Sequence, residues 1–421
     1  MRAFLEIVLL ELRALWRSRA LPALVVAAAG WVAAFPGLAW SDGTADGARQ
    51  LLVRYGLGGA LVLSALALVV SATASLARER AAHRLQLTLV RPVRHFTVAL
   101  AKVAAHVAAG ALVLAAACLA LALGTDLSRP CSHVLTPVLP SPQAEAQGMY
   151  EVFMRDPATP EEIRKAPREA VVRLLARKAR DRYEAIGANR AAAWNFGPAD
   201  VIASAPACAV RIRFSNQMSM RQDACGEFEL FGRRGSLSNQ TQTVVSVPLE
   251  GKAEPPEDGV ARLRFENRGG ASLLLRPRQD LALLVPADSF GFNLLRAWIA
   301  MTAVLAAVVS LAVFLSAGLG RPVALFAALV LLAVGEMSPS VSSQYADELG
   351  AGLADRVGLA IVRTAEAVLS PVSAASPLEA LAEDERLETG ALLRLAAIDL
   401  AALPLAAALL CAWIMPRKQE G

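Results

Sequence analysis

Aromatic residues make up only 5% of this 421-residue chain, and histidine occurs four times. The five cysteines are scattered, with none of the paired spacing of a zinc site. Two of them, Cys118 and Cys411, lie inside apolar runs, where a thiol acts as a small buried hydrophobe. No GxxxxGK[ST] stretch is present, so binding of nucleotide through a phosphate loop is excluded. No file of Asp, Glu and His runs through the apolar segments, which argues against a proton- or sodium-coupled carrier. No nucleophile and base stand in a catalytic pattern, so no enzyme activity and no cofactor are expected of this chain.

What the chain has in abundance is apolar sequence, arranged in blocks. It is 55% hydrophobic, where soluble domains run at about 45–50%. A helix needs about 20 apolar residues to cross a hydrocarbon core of about 30 Å. Six runs qualify as spans, at about 21–40, 51–77, 96–124, 293–317, 322–338 and 393–415. The net charge is +5, and the basic residues cluster in short loops and at span ends. That is the distribution membrane topology demands, and it does not point to nucleic acid.

The most basic short loop is 78–95, which carries five arginines in eighteen residues. Such loops stay in the cytoplasm. Within it Leu85, Leu89 and Val93 recur every fourth residue, as on one face of a short helix that Pro92 ends. Gly318 to Pro322 is a second short basic turn, and Arg417 and Lys418 follow the last span. All these signals agree with six spans and both termini in the cytoplasm, in the inner (plasma) membrane. Residues 2–17 read as an amphipathic helix in the membrane interface, with Leu5, Val8, Leu9, Leu12, Leu15 and Trp16 on one face. The alternative, a signal peptide, requires a shorter apolar core than 21–40.

Residues 125–290 contain no span and are expected outside the cytoplasm. A stretch rich in proline, 125–160, reads as irregular. A helix is expected over about 160–188, with Val171, Leu174 and Leu175 on its apolar face. From Trp194 the pattern turns to alternation, as in Val210-Arg211-Ile212-Arg213-Phe214 and Ala261-Arg262-Leu263-Arg264-Phe265. Short strands over about 194–286 indicate an antiparallel β-sandwich or jelly roll. Cys208 and Cys225 flank a hairpin-like segment there; a disulfide and two separate thiols both remain open, because spacing does not fix Cβ geometry. The fold class is therefore a six-helix all-α membrane bundle with an N-terminal interfacial helix and an inserted extracytoplasmic α+β domain. The segments are 1–124, 125–290 and 291–421, the last with an outside loop at 339–392.

Charges inside the spans are few. Lys102 lies near enough to the cytoplasmic end of its span to snorkel, and His106 reads as a packed histidine. Glu336 sits near the outer end of the fifth span. Asp399 lies deeper, in the sixth, within reach of a local pair with Arg394, and is the candidate for a pathway residue.

The amphipathic helix 2–17, the second span feeding Arg78-Glu79-Arg80, the leucine-bearing loop ending in Arg91-Pro92-Val93-Arg94, and the following Lys102 resemble the permease subunit of type-2 ABC exporters. In that family a Glu, a Gly-Thr-Leu stretch and a Pro-Val-Ser-Arg-like stretch form a coupling helix that docks on the ATPase. Glu79, Leu85, Pro92, Val93 and Arg94 match, while His83-Arg84 replaces Gly-Thr. The resemblance covers the spans but not 125–290. It implies an ATP-driven transporter whose ATPase is a separate cytoplasmic subunit, a second permease copy or homologue as partner, and membrane lipid around both. It also implies docking through Glu79, Arg84, Leu85, Leu89, Arg91, Pro92 and Arg94. The rival is a membrane anchor that transports nothing and displays the jelly-roll domain for binding.

Overall fold

A computed structural model describes residues 2–38, 45–81, 94–156, 161–164, 167–180, 184–215, 223–241, 243–252, 259–331 and 377–417. The chain divides into two units, Met1–Cys131 with Asp288–Gly421, and Ser132–Ala287. The inserted unit is thus slightly shorter than the expected 125–290.

The first unit is helical. α1 is Arg2–Arg17 and α2 is Ala20–Leu38. α3 runs from Ala45 to Ala81 with a π-helical turn at Leu52–Leu57. α4 is His95–Gly124 and α5 is Phe290–Gly318. α6 is Arg321–Leu331. α7 runs from Thr389 to Arg417 with a π-helical turn at Ala396–Ala402. Among the described residues, α2, α3, α4, α5 and α7 are long and apolar enough to cross a membrane. α6 is shorter; the rest of the expected fifth span, Glu336, and the loop 339–376 lie outside the described residues.

These helices form along long apolar runs, and they bury their faces in one shared core. α5 lies at its centre: 78% of its most apolar stretch is buried, against 17–44% in the other four. Gly110 of α4 marks the tightest approach. A Cβ there would come within 2.7 Å of Leu68 on α3 and 2.8 Å of Leu305 on α5, so any larger residue would require both leucine side chains to shift. The short helix Pro377–Ala382 and the residues after it are tied down by polar contacts. Asp384 accepts from Arg49 at 2.6 Å and from Arg129 at 3.0 Å, and the Asn293 side chain bonds the backbone of Glu385 and Leu387.

The second unit is built of antiparallel strands, with three helices between the first strand and the second among the described residues. The strands are β1 (Pro130–Leu135), β2 (Glu184–Ile186), β3 (Ala191–Pro198), β4 (Cys208–Arg213), β5 (Asp223–Leu230), β6 (Arg233–Gln240), β7 (Val244–Leu249), β8 (Val260–Asn267), β9 (Leu273–Leu275) and β10 (Leu281–Ser289). One four-stranded sheet has the order β1-β10-β4-β7, another β3-β8-β5-β6, and β2 pairs with β9. Inward residues alternate with outward ones, as in β8, where Ala261, Leu263 and Phe265 are buried and Arg262 and Arg264 exposed. The inward side chains of both four-stranded sheets make one core, in which Phe265 packs against Phe214 and Phe228.

The helix expected over 160–188 is Glu161–Arg164 and Arg168–Arg180 among the described residues. The stretch 125–160, read as irregular, contains β1 and the helix Pro142–Arg155. Ser141 caps that helix by accepting from the Ala144 N–H, and Pro142 suits its first turn. Cys208 and Cys225 are both free thiols. They stand on β4 and β5, which belong to different sheets, and Cys208 opposes Leu249 whereas Cys225 opposes Ser238. The buried Cys208 sulfur instead accepts from Arg233 Nη1 at 3.2 Å.

Candidate functional site: a buried lysine at the stem of the basic loop

α3 leads into the basic loop and α4 leads out of it. Ser71, Ser75 and Glu79 fall four residues apart on the last turns of α3, hence on one face. Lys102 and His106 share a face of α4 by the same spacing. Glu11 comes from α1.

Lys102 does not snorkel. It is 1% exposed, and its ammonium meets three acceptors: Ser75 Oγ at 2.7 Å, Glu79 Oε1 at 2.7 Å and Glu11 Oε2 at 3.2 Å. An ammonium has three N–H donors, so all three are satisfied. The Ser75 hydroxyl in turn donates a hydrogen bond to Glu11 Oε1, which closes the ring of contacts. One turn further, His106 Nδ1 donates to the Lys102 carbonyl at 2.8 Å, since a carbonyl only accepts. Its Nε2 then accepts from Ser71 Oγ at 3.3 Å. His106 is therefore packed and hydrogen-bonded, as the sequence suggests. Three helices that approach the loop are thus joined by one buried cation.

The electrostatics favour this join. Burial by itself would raise the Glu11 carboxyl pKa. The Lys102 ammonium and the Ser75 hydroxyl outweigh it and hold that carboxyl below the ordinary range. Two carboxylates face one ammonium, which leaves a net charge of −1 at the base of a loop carrying five arginines. Glu79 keeps 31% of its side chain exposed, so it is the member that faces outward.

Of the residues expected to dock a partner, Glu79 is placed in this cluster. Arg94 caps α4 with its backbone, its carbonyl accepting from the Thr97 N–H at 2.9 Å, and the residue is exposed. Arg84, Leu85, Leu89, Arg91 and Pro92 lie outside the described residues. Asp399 lies elsewhere in the unit, on α7. It is buried, and the local pair with Arg394 is not made, since neither carboxylate oxygen has a hydrogen-bond partner. Among the described residues no group of three His, Cys, Asp or Glu is placed to hold a metal. Sequence reasoning missed Glu11 and Ser75. Ser75 gave a signal only by its place, with Glu79, on the segment that enters the loop; Glu11, on α1, gave none.

No family model, curated protein or solved structure matches the chain.

Proposed function

We propose that this chain is the membrane-spanning permease subunit of an ATP-driven transporter of the ABC exporter kind. A separate cytoplasmic ABC ATPase docks on residues 78–95 and supplies the energy. The permease works beside a second copy or a homologue, in the lipid of the inner membrane, and makes no contact with nucleic acid. In this reading the apolar run 322–338 is a further span, giving six, with both termini in the cytoplasm and the inserted unit outside.

The observation that carries the proposal is the Lys102 cluster. A loop that receives force needs stems that move as one body. Here α3, α4 and α1 are held together within about two turns of the loop by Lys102, Ser75, Glu79 and Glu11. A displacement of the loop by closing ATPases therefore moves all three helices. α5 packs on both α3 and α4 and carries that movement into the core. A free loop of similar charge on an inert anchor has no use for a desolvated ion cluster at its root.

The inserted unit is read as a jelly roll. With β2 and β9 set aside, the two sheets run first-eighth-third-sixth and second-seventh-fourth-fifth. Two interlocked Greek keys produce that order.

The test is affinity purification of the full chain from its native membrane in mild detergent, followed by mass spectrometry. A co-purifying protein that bears GxxxxGK[ST] and hydrolyses ATP is expected in stoichiometric amount. Recovery of the chain without any ATPase, across several detergents, contradicts the reading.

A further inference from the structure

Two π-helical turns interrupt the membrane helices, and such turns are common at functional positions. In α3 the turn is quietly satisfied: the Tyr55 carbonyl accepts from Trp31 Nε1 at 3.2 Å. In α7 the Leu403 N–H reaches back to the Ile398 carbonyl, the five-residue step of a π turn. Inside that second turn sits Asp399. It is completely buried, and neither carboxylate oxygen has a hydrogen-bond partner. At 1.5 Å per residue it lies about 15 Å along α7 from Thr389, about half of a hydrocarbon core.

Nothing charged faces it among the described residues. The turn packs on α5, where Ala300 and Ala303 join Leu392 and Leu395 in a small apolar cluster. From Ala297 to Gly318 α5 carries no ionisable side chain at all. On α7 itself Arg394 is exposed, and the Cys411 thiol is directed at the Val313 carbonyl. α4, which packs on the later part of α7, offers Lys102 and His106, and both are bonded within the loop-stem cluster.

A bare carboxylate in such surroundings is strongly unfavourable. A metal ion would need several oxygen ligands, and a neighbouring basic residue would need a path to a side chain that is closed off. One ligand neutralises a lone carboxyl with no further donor. We propose that Asp399 is a proton-binding site of the membrane-spanning unit, occupied in this conformation and vacated only when the π turn opens. A proton removes the cost of burying the charge, so proton binding favours the closed turn, and opening it to water releases the proton. This inference needs α7 to cross the membrane but does not need the ATPase.

The test is infrared difference spectroscopy of the full chain in phosphatidylcholine vesicles, wild type against Asp399→Asn, from about pH 5 to about pH 9. A carbonyl-stretch band of a protonated carboxylic acid is expected at neutral pH and is absent from the variant. Amide exchange over 396–402, corrected for its intrinsic pH dependence, should rise up to tenfold per pH unit once the site empties, and only in the wild type. If Asp399→Asn does not fold, Asp399→Leu serves as the blank. An ionised-carboxylate band at neutral pH that vanishes in the variant overturns the proposal. So does exchange over 396–402 that is the same in wild type and variant at every pH. Neither result bears on whether an ATPase docks.

Discussion

Lys102 in the helical unit and Asp280 in the strand unit are buried ions of opposite sign, and each is clamped by two opposite charges. Asp280 accepts from Arg213 on β4 at 2.9 Å and from Arg276 Nε at 2.8 Å. Lys102 is held by Glu11 and Glu79. The difference lies in where the partners come from. Arg276 is four residues from Asp280, and Arg213 belongs to the strand beside β10, paired where Ile212 meets Leu281. That clamp pins the β9–β10 connection to the neighbouring strand β4. The Lys102 clamp draws on three separate helices and sits where two of them enter and leave the basic loop. One arrangement is local to a strand connection; the other joins three helices.

The comparison is sharpened first by removing the cation. Lys102→Met strands the Glu11 carboxylate beside Ser75 and should destabilise the helical unit by about 3 kcal/mol, the low end for breaking a buried pair, because Glu79 can turn to water. Thermal unfolding in detergent measures this. Adding Glu11→Gln and Glu79→Gln to the same chain should recover part of the loss, since the uncompensated charges are then gone. A Lys102→Met chain that unfolds like the wild type would leave the cluster without an energetic role.

A smaller effect is expected from Asp280→Asn, about 1–3 kcal/mol, because Arg213 and Arg276 are partly exposed and relax into solvent. This variant also reports on acid. Burial alone would raise the Asp280 carboxyl, but hydrogen bonds from Arg276 and Arg213 outweigh it and hold it below the ordinary range. A lowered folded value stabilises the fold above the unfolded carboxyl pKa of about 4, and the contribution is lost as pH falls through the folded value. Stability of the wild-type strand unit should therefore drop below about pH 4, and Asp280→Asn should flatten that drop. Equal acid sensitivity in both chains would remove Asp280 from the account.

The smallest effect concerns the thiols. Cys225→Ser should shift stability by no more than about 0.5 kcal/mol, as for a surface change that breaks no bond. Peptide mapping without reductant should find Cys208 and Cys225 unlinked, with Cys208 the slower to alkylate because it is buried. A recovered Cys208–Cys225 cross-link would contradict the strand assignment.

Five of the six expected spans match long apolar helices among the described residues, because long apolar runs leave the chain little alternative: 96–124 was expected and His95–Gly124 is found. Strands with one apolar face, such as β7 and β8, were legible from alternation. β6 was not. Its inward residues are Arg233, Gly235 and Leu237, so the apolar period is missing. Arg233 is buried because Cys208 and the Ala205 carbonyl accept its protons, and Gly235 is required because a Cβ would come within 2.5 Å of the Pro248 carbonyl. The candidate site was half legible. Glu79 was singled out for its place beside the arginines. Lys102 read as a snorkelling residue because its partners, at positions 11, 75 and 79, are brought to it only by the packing of three helices. No local spacing encodes that meeting.

The most direct measurement of the central claim is association of the ATPase with a Leu89→Asp chain, purified from the native membrane beside the wild type. Leu89 is the middle member of the apolar stripe in the basic loop, and a charge in a desolvated pocket has no partner there. The account predicts that the variant inserts normally, retains the Lys102-dependent stability of the wild type, and loses the ATPase together with its stimulated ATP turnover. Full association and full turnover in Leu89→Asp would contradict docking through residues 78–95.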